Sequence, residues 1–195
     1  MAITPVEIKT LRERTGLSVM ECKNALEQTE GDMEKAIILL RKKSGAAAAK
    51  KTERTLGAGV VQAYVHASRD VGAMVLLLCE TDFVAKNAEF VDLARDIAMH
   101  ATATIPACIN REQVSETELA KARELFEKEA QDKPDAMREK IVAGKLESFY
   151  KERVLLEQAF IKDPSVTIRD LIERATQKFG ERIEVSECVR MSARA

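Results

Sequence analysis

Asp82 and Phe83 stand just beyond an apolar run, Val71-Gly72-Ala73-Met74-Val75-Leu76-Leu77-Leu78-Cys79, inside the segment Glu80-Thr81-Asp82-Phe83-Val84-Ala85-Lys86-Asn87. The run reads as a buried strand, and its end delivers two acids and an aromatic ring in quick succession. Such strand-to-helix junctions present functional groups on a rigid frame. Asp82 can accept or redirect hydrogen bonds. Phe83 has two readings. It turns back into its own core, where full burial is worth about 2–3 kcal/mol. Alternatively it is offered outward to an apolar slot between two helices of a partner. An intruding ring displaces a packed helix, and packed interfaces respond by switching between discrete arrangements.

Covalent and metal chemistry find little support elsewhere. Val142-Ala143-Gly144-Lys145-Leu146 holds a Gly-Lys pair, but Glu139 stands where a phosphate loop needs its first glycine and Leu146 where it needs Ser or Thr. Gly57-Ala58-Gly59 precedes an expected strand rather than a helix, so it is no dinucleotide turn. No G-x-S-x-G occurs. The two histidines, His66 and His100, fall on expected regular elements and read as half-exposed or satisfied structural residues. Cys22, Cys79, Cys108 and Cys188 form no C-x-x-C pair, and three of them sit in apolar periodic segments, so buried reduced thiols are expected. Asp92 and Asp96, one helical turn apart beside Arg95, read as a solvated face. No cofactor and no metal site is expected.

Composition narrows the class further. The chain has 195 residues, 46% hydrophobic and 32% charged, which fits a core-forming protein rather than a disordered one. Lys plus Arg number 31 against 32 for Asp plus Glu, a balance that argues against a broad nucleic-acid surface. No run of about 18 apolar residues occurs, so no membrane span is expected. The opening Met-Ala-Ile-Thr-Pro carries no charged-then-apolar signal region, and a cytoplasmic protein is expected.

Three short helices are expected in residues 1–43. Thr4 with Glu7, and Ser18 with Glu21, form capping boxes; Pro5 occupies a first helical position, and Gly31-Asp32 opens the third helix. Residues 44–55, with Ala46 to Ala49 between basic clusters, read as a partly helical linker. Residues 57–80 read as a β-hairpin, with Val61, Ala63 and Val65 alternating against Gln62, Tyr64 and His66. The second strand is apolar on both faces, so both faces should be covered. Helical patterns follow from Asn87, Ser115, Pro134 and Thr167; Asp163-Pro164 breaks the chain, and Ile183, Val185 and Val189 mark a terminal strand. The fold class is therefore α+β: a core of residues 56–195 with a small antiparallel sheet of about three strands packed with helices. A sheet that small leaves edges and one large face, for which self-association is a natural solution; no second copy of the hairpin unit exists in the chain, so a two-fold arrangement would come from two chains.

The N-terminal pattern resembles a UBA-type three-helix domain. Over most of its length the chain resembles elongation factor Ts. The likeness rests on Leu11 to Gly16, Met20 to Leu26 and Gly31 to Ile37, then Tyr64-Val65-His66, Glu80 to Asn87, Ile97 to His100, Leu155 to Gln158 and Phe160 to Asp163. Departures are Val19 for the usual Met, Ala159 for the proline before Phe160, Arg182 for Asn, and the tail Cys188-Val189-Arg190-Met191. The resemblance implies an exchange factor that binds EF-Tu carrying GDP and speeds GDP release. It implies that Thr81, Asp82, Phe83 and Val84 disturb the Mg²⁺ site of that GTPase, and that Lys9, Arg12 and Met20 dock the bundle on it. Met20 reads equally well as a core residue of its own bundle. The chain lacks the duplicated core of longer members and resembles the short form, which implies a homodimer binding two EF-Tu molecules, without direct nucleic-acid or membrane contact. The rival reading is a UBA-type adaptor without exchange activity, which explains residues 1–43 but leaves residues 80–87 without purpose.

Overall fold

The structure, a computed structural model, describes residues 3–49, 53–132 and 134–193. In chain order the helices are α1 (Pro5–Thr15), α2 (Val19–Gln28), α3 (Met33–Ala49), α4 (Asp82–Ala85), α5 (Ala88–Thr104), α6 (Glu116–Glu129), α7 (Asp135–Arg153) and α8 (Ile168–Phe179). The strands are β1 (Ala58–Val65), β2 (Val71–Cys79), β3 (Ala159–Phe160), β4 (Asp163–Thr167) and β5 (Glu184–Ser192). One sheet has the order β1-β2-β5, and β3 pairs with β4 in a short antiparallel ladder. The fold is α+β, as the run of helices after the hairpin implies. Among the described residues, no helix is long and apolar enough to cross a membrane.

Contacts divide the chain into two units, one made of Met1–Val60, Leu77–Leu93 and Arg169–Glu184, the other of Val61–Leu76, Ala94–Ile168 and Val185–Ala195. In the first, the expected helices form around Leu11, Leu17, Cys22, Ala25, Leu26, Ala36, Ile37 and Leu40, all buried. Both capping boxes are present, Thr4 with Glu7 and Ser18 with Glu21. Each satisfies two amide donors that a helix start otherwise leaves unpaired. Gly16, at φ 71°, ends α1 in the left-handed conformation that glycine adopts without strain. Beyond residue 43, α3 continues to Ala49 because the alanines favour helix and buried Ser44 anchors it. Residues 50–52 of the segment read as a linker lie outside the described residues. Gln177 of α8 ties this bundle down, accepting from the Ser44 hydroxyl and donating to the Glu21 carboxylate. The start of α5 and the end of α8 meet through Phe90 and Phe179, whose rings pack edge to face at 6.2 Å.

In the second unit, Arg111 joins the α6–α7 region to the chain beyond α7. Its guanidinium pairs with Glu147 and Glu157, each at 2.7 Å, and stacks over the Tyr150 ring at 4.4 Å. Cys108 and Val154 form an isolated bridge, with Leu155 donating to the Cys108 carbonyl at 2.9 Å. The strand β4 was not expected. Pro164 fits it because a two-strand ladder has a free edge where no amide donor is required.

The hairpin forms, closed by a bond from the His66 amide to the Val71 carbonyl at 2.9 Å. The expectation that both faces of β2 are covered is not met within one chain. Val71, Ala73, Val75, Leu77 and Cys79 are buried, whereas Met74 on the opposite face is half exposed. Val61 and Val65 of β1 and Val189 and Met191 of β5 are exposed as well. An open depression of about 500 Å³ is lined by Ala63, Val65, Gly72, Met74, Val189 and Met191.

Candidate functional site

The tip after β2 is built by a single short turn of helix. Thr81 is the N-cap of α4, its hydroxyl accepting from the Val84 amide at 3.5 Å. The Ala85 amide donates to the Thr81 carbonyl at 3.2 Å and the Asn87 amide to the Val84 carbonyl at 2.9 Å. Asn87 then starts α5, its side-chain oxygen accepting from the Glu89 amide at 2.9 Å. Successive helical residues point about 100° apart, so a residue sealed inward turns its predecessor outward. Val84 is 3% exposed, and Phe83 is 79% exposed, more than any other large apolar side chain among the described residues. Of the two readings of Phe83, the chain by itself takes the outward one.

Asp82 is exposed and pairs with Lys86 one turn later at 2.7 Å. The hydrogen bond from that ammonium holds its carboxyl below the usual range, so Asp82 is an anion at neutral pH. Thr81 is exposed, and Val84 anchors the turn from beneath.

The base of the tip is fixed by carboxylates that sequence reading did not assign. Glu181 Oε2 accepts from the amides of Glu80 and Thr81, each at 3.0 Å, and its Oε1 accepts from the Thr81 hydroxyl at 2.6 Å. Reciprocally, the Glu80 carboxylate accepts from the Arg182 amide at 2.5 Å and from the Arg54 guanidinium at 3.2 Å. The Cys79 thiol donates to the Thr81 carbonyl at 3.2 Å. That thiol is buried, and burial raises its pKa, so it stays protonated as a donor should. Gly180, at φ 74° just past the end of α8, makes the turn that presents Glu181. The only local sign of this arrangement was a glycine after Phe179.

On the bundle, Lys9 and Arg12 are exposed one turn apart on α1. Met20 on α2 is 64% exposed, with Val19 and Val6 also exposed. Met20 is therefore not a core residue of the bundle, and the other reading of it, a docking position, stays open. Phe83 and these residues belong to the same unit.

Among the described residues nothing else gathers into a reactive set. No group of three His, Cys, Asp or Glu among the described residues could hold a metal ion. All four cysteines are free; Cys22 and Cys79 are buried, and Cys108 and Cys188 are half-buried. Gly144-Lys145 lies inside α7, where no phosphate-cradling loop exists. His66 bonds Ser68 through Nδ1 at 2.7 Å. His100 is wholly buried rather than half-exposed, and its Nδ1 has no hydrogen-bond partner, so only half of the satisfied-histidine expectation is met.

The family described as Elongation factor TS matches residues 12–194. The Elongation factor Ts of Carboxydothermus hydrogenoformans is 49% identical over 190 residues, covering 96% of this chain and 88% of that protein. That of Herpetosiphon aurantiacus is 49% identical over 187 residues, covering 95% and 94%. That of Fervidobacterium nodosum is 47% identical over 193 residues, covering 98% of each.

Proposed function

This chain belongs to the elongation factor Ts family of translation elongation factors, and from that premise we propose that it binds EF-Tu·GDP and accelerates the exchange of GDP for GTP. The observation that carries the reading is Phe83, an aromatic ring left 79% exposed on a turn whose base is held by hydrogen bonds from the Thr81 amide and hydroxyl to Glu181. A flexible exposed ring would be a liability; a rigid one is a lever. Phe83 inserts between helices of the partner near the nucleotide, with Thr81 and Val84 holding the turn and Asp82 redirecting polar contacts. The displaced groups release Mg²⁺ and crowd the phosphate loop. Losing Mg²⁺ removes the charge that neutralises the diphosphate, so nucleotide affinity falls. Lys9, Arg12 and Met20 dock the bundle on the GTPase. No bond is made or broken. By linkage, GDP weakens binding of the factor by the same ratio as the factor weakens GDP, so incoming nucleotide displaces it. The setting is the cytoplasm.

The uncovered sheet face supports a second element of the proposal: two copies pair through it, presenting two tips to two EF-Tu molecules. Val61, Val65, Met74, Val189 and Met191 are the side chains that pairing would remove from water.

The test is release of labelled GDP from EF-Tu. Intact chain speeds release. Phe83→Ala, which removes little buried surface and leaves the fold intact, lowers the stimulated rate about 30-fold if the ring acts as an anchor worth about 2 kcal/mol. A triple Lys9→Ala, Arg12→Ala, Met20→Ala variant raises the concentration needed for stimulation. Unchanged release with intact chain rejects the reading, and binding through the bundle with release untouched would establish an adaptor instead.

A further inference from the structure

We infer that Glu181 is a positioning residue for the tip, holding Thr81 and thereby the direction in which Phe83 is offered; this rests on the exchange reading above. Three donors converge on one carboxylate: the amides of Glu80 and Thr81 on Oε2, and the Thr81 hydroxyl on Oε1. The hydroxyl so engaged is also the N-cap of the helical turn that carries Phe83. Orientation thus passes from the carboxylate through Thr81 into α4 by bonded contacts. Hydrogen bonds to an ionised acceptor are roughly twice as strong as neutral ones, and two oxygens with fixed separation constrain direction as well as distance.

The rest of the clamp has the same purpose. Glu80 reaches back to the Arg182 amide, so the two segments grip each other reciprocally. Upstream, α8 is fixed by the Phe90–Phe179 ring contact and by the Lys178–Glu89 ion pair. It is fixed at Gln177 by Glu21 and Ser44. The turn bearing Glu181 is therefore an extension of an anchored helix. A carboxylate with that many fixed partners at the root of an exposed ring sets an angle of attack rather than adding to a core.

The discriminating series is Glu181→Gln, Glu181→Asp and Glu181→Ala. Gln keeps the reach: its carbonyl oxygen can take both amides while its NH₂ donates to the Thr81 hydroxyl. Asp keeps the charge but falls short by one methylene. Positioning predicts activity in the order wild type, Gln, then Asp and Ala together; a purely electrostatic role predicts Asp above Gln. Two readouts are taken on the full chain, with melting temperature as a check on folding. The first, independent of any partner, is hydrogen exchange of the Glu80 and Thr81 amides by NMR. It should rise about ten- to hundredfold in Ala and much less in Gln. The second is stimulated GDP release from EF-Tu, where a Phe83→Ala, Glu181→Ala double variant should be no slower than Phe83→Ala alone, because both changes disable one lever. Unchanged amide exchange in Glu181→Ala overturns the clamp. Raised exchange with full release activity, or additive losses in the double variant, overturns its link to Phe83. If intact chain does not stimulate release, the exchange reading fails and the amide data still decide whether Glu181 holds the turn.

Discussion

Acidification should weaken this fold through His100, by an amount its hydrogen bonds allow to be worked out. The Gln158 amide is oriented by donating to the Glu152 carbonyl at 2.7 Å. Its oxygen therefore faces His100 Nε2 at 3.0 Å and the Thr104 hydroxyl at 2.9 Å. An acceptor opposite Nε2 assigns the proton to that nitrogen and leaves Nδ1 bare, and Nδ1 is buried without a partner. A second proton would create an N–H with no acceptor inside the core. Burial accordingly pushes the pKa of His100 down, the bond to Gln158 opposing only in part. The folded-state value thus lies below the unfolded value, near 6.5, so the unfolded chain takes up the proton first. The contribution of neutral His100 is fully present above about pH 6.5 and is lost as pH falls toward the folded pKa, at up to about 1.4 kcal/mol per pH unit. Urea unfolding of wild type and His100→Gln isolates it, because carboxylate titrations cancel in the difference. That difference should change by up to about 1.4 kcal/mol between about pH 7.5 and about pH 5.5, wild type losing more. An identical difference at both values would refute the assigned tautomer and the burial argument together.

Two further substitutions probe other levels. Leu11→Ala empties the centre of the bundle, where Leu11 has no exposure. It should cost about 2–5 kcal/mol, seen as faster amide exchange across α1, α2 and α3. Met74→Asp places a charge on the open sheet face; if two chains pair there, sedimentation should show association weakened, the concentration at which pairs form rising roughly a hundredfold or more, since like charges brought together cost several kcal/mol. A wild-type chain that sediments as a single copy at all concentrations tested would refute pairing.

Helix starts were the most legible part of the sequence, because a cap is a contact over three residues. Thr4 with Glu7 and Ser18 with Glu21 are read and found as full boxes. Ser115 caps α6 by accepting from the Glu118 amide at 3.2 Å. The outward turn of Phe83 was only half legible. Whether Phe83 or Val84 faces in depends on where the helical turn after β2 begins, because a shift of one residue rotates its inward face by about 100°. The clamp was not legible at all. Glu181 and Thr81 are 100 positions apart, and a glutamate in a turn carries no periodic signal. Likewise the apolar composition of β2 predicts cover on both faces, whereas within one chain the face bearing Met74 lies open. The helical part of residues 44–55 is legible from its alanines, but how far α3 runs is not, because burial of Ser44 and its bond to Gln177 are tertiary facts.

The proposed exchange role makes a particular demand that these contacts meet. An aromatic lever does work on a partner only if its own deflection is harder than the partner's. Ordering a loose four-residue turn on contact would cost about 1–2 kcal/mol per residue in backbone entropy, about 4–8 kcal/mol in all, more than the about 2–3 kcal/mol gained from burying one ring. Here α4 is ordered before any contact: the Thr81 amide and hydroxyl are held by Glu181, its carbonyl by the Cys79 thiol, and Val84 by the core. The free energy of seating Phe83 is then available to shift the partner's helices instead of being consumed in shaping the factor. The same reasoning explains why the ring is exposed and its neighbour sealed. Exchanging Phe83 and Val84 would leave the hydrophobicity of the segment unchanged and remove both lever and anchor, so stability and stimulated GDP release should fall together in that swapped chain, whereas Phe83→Ala separates them.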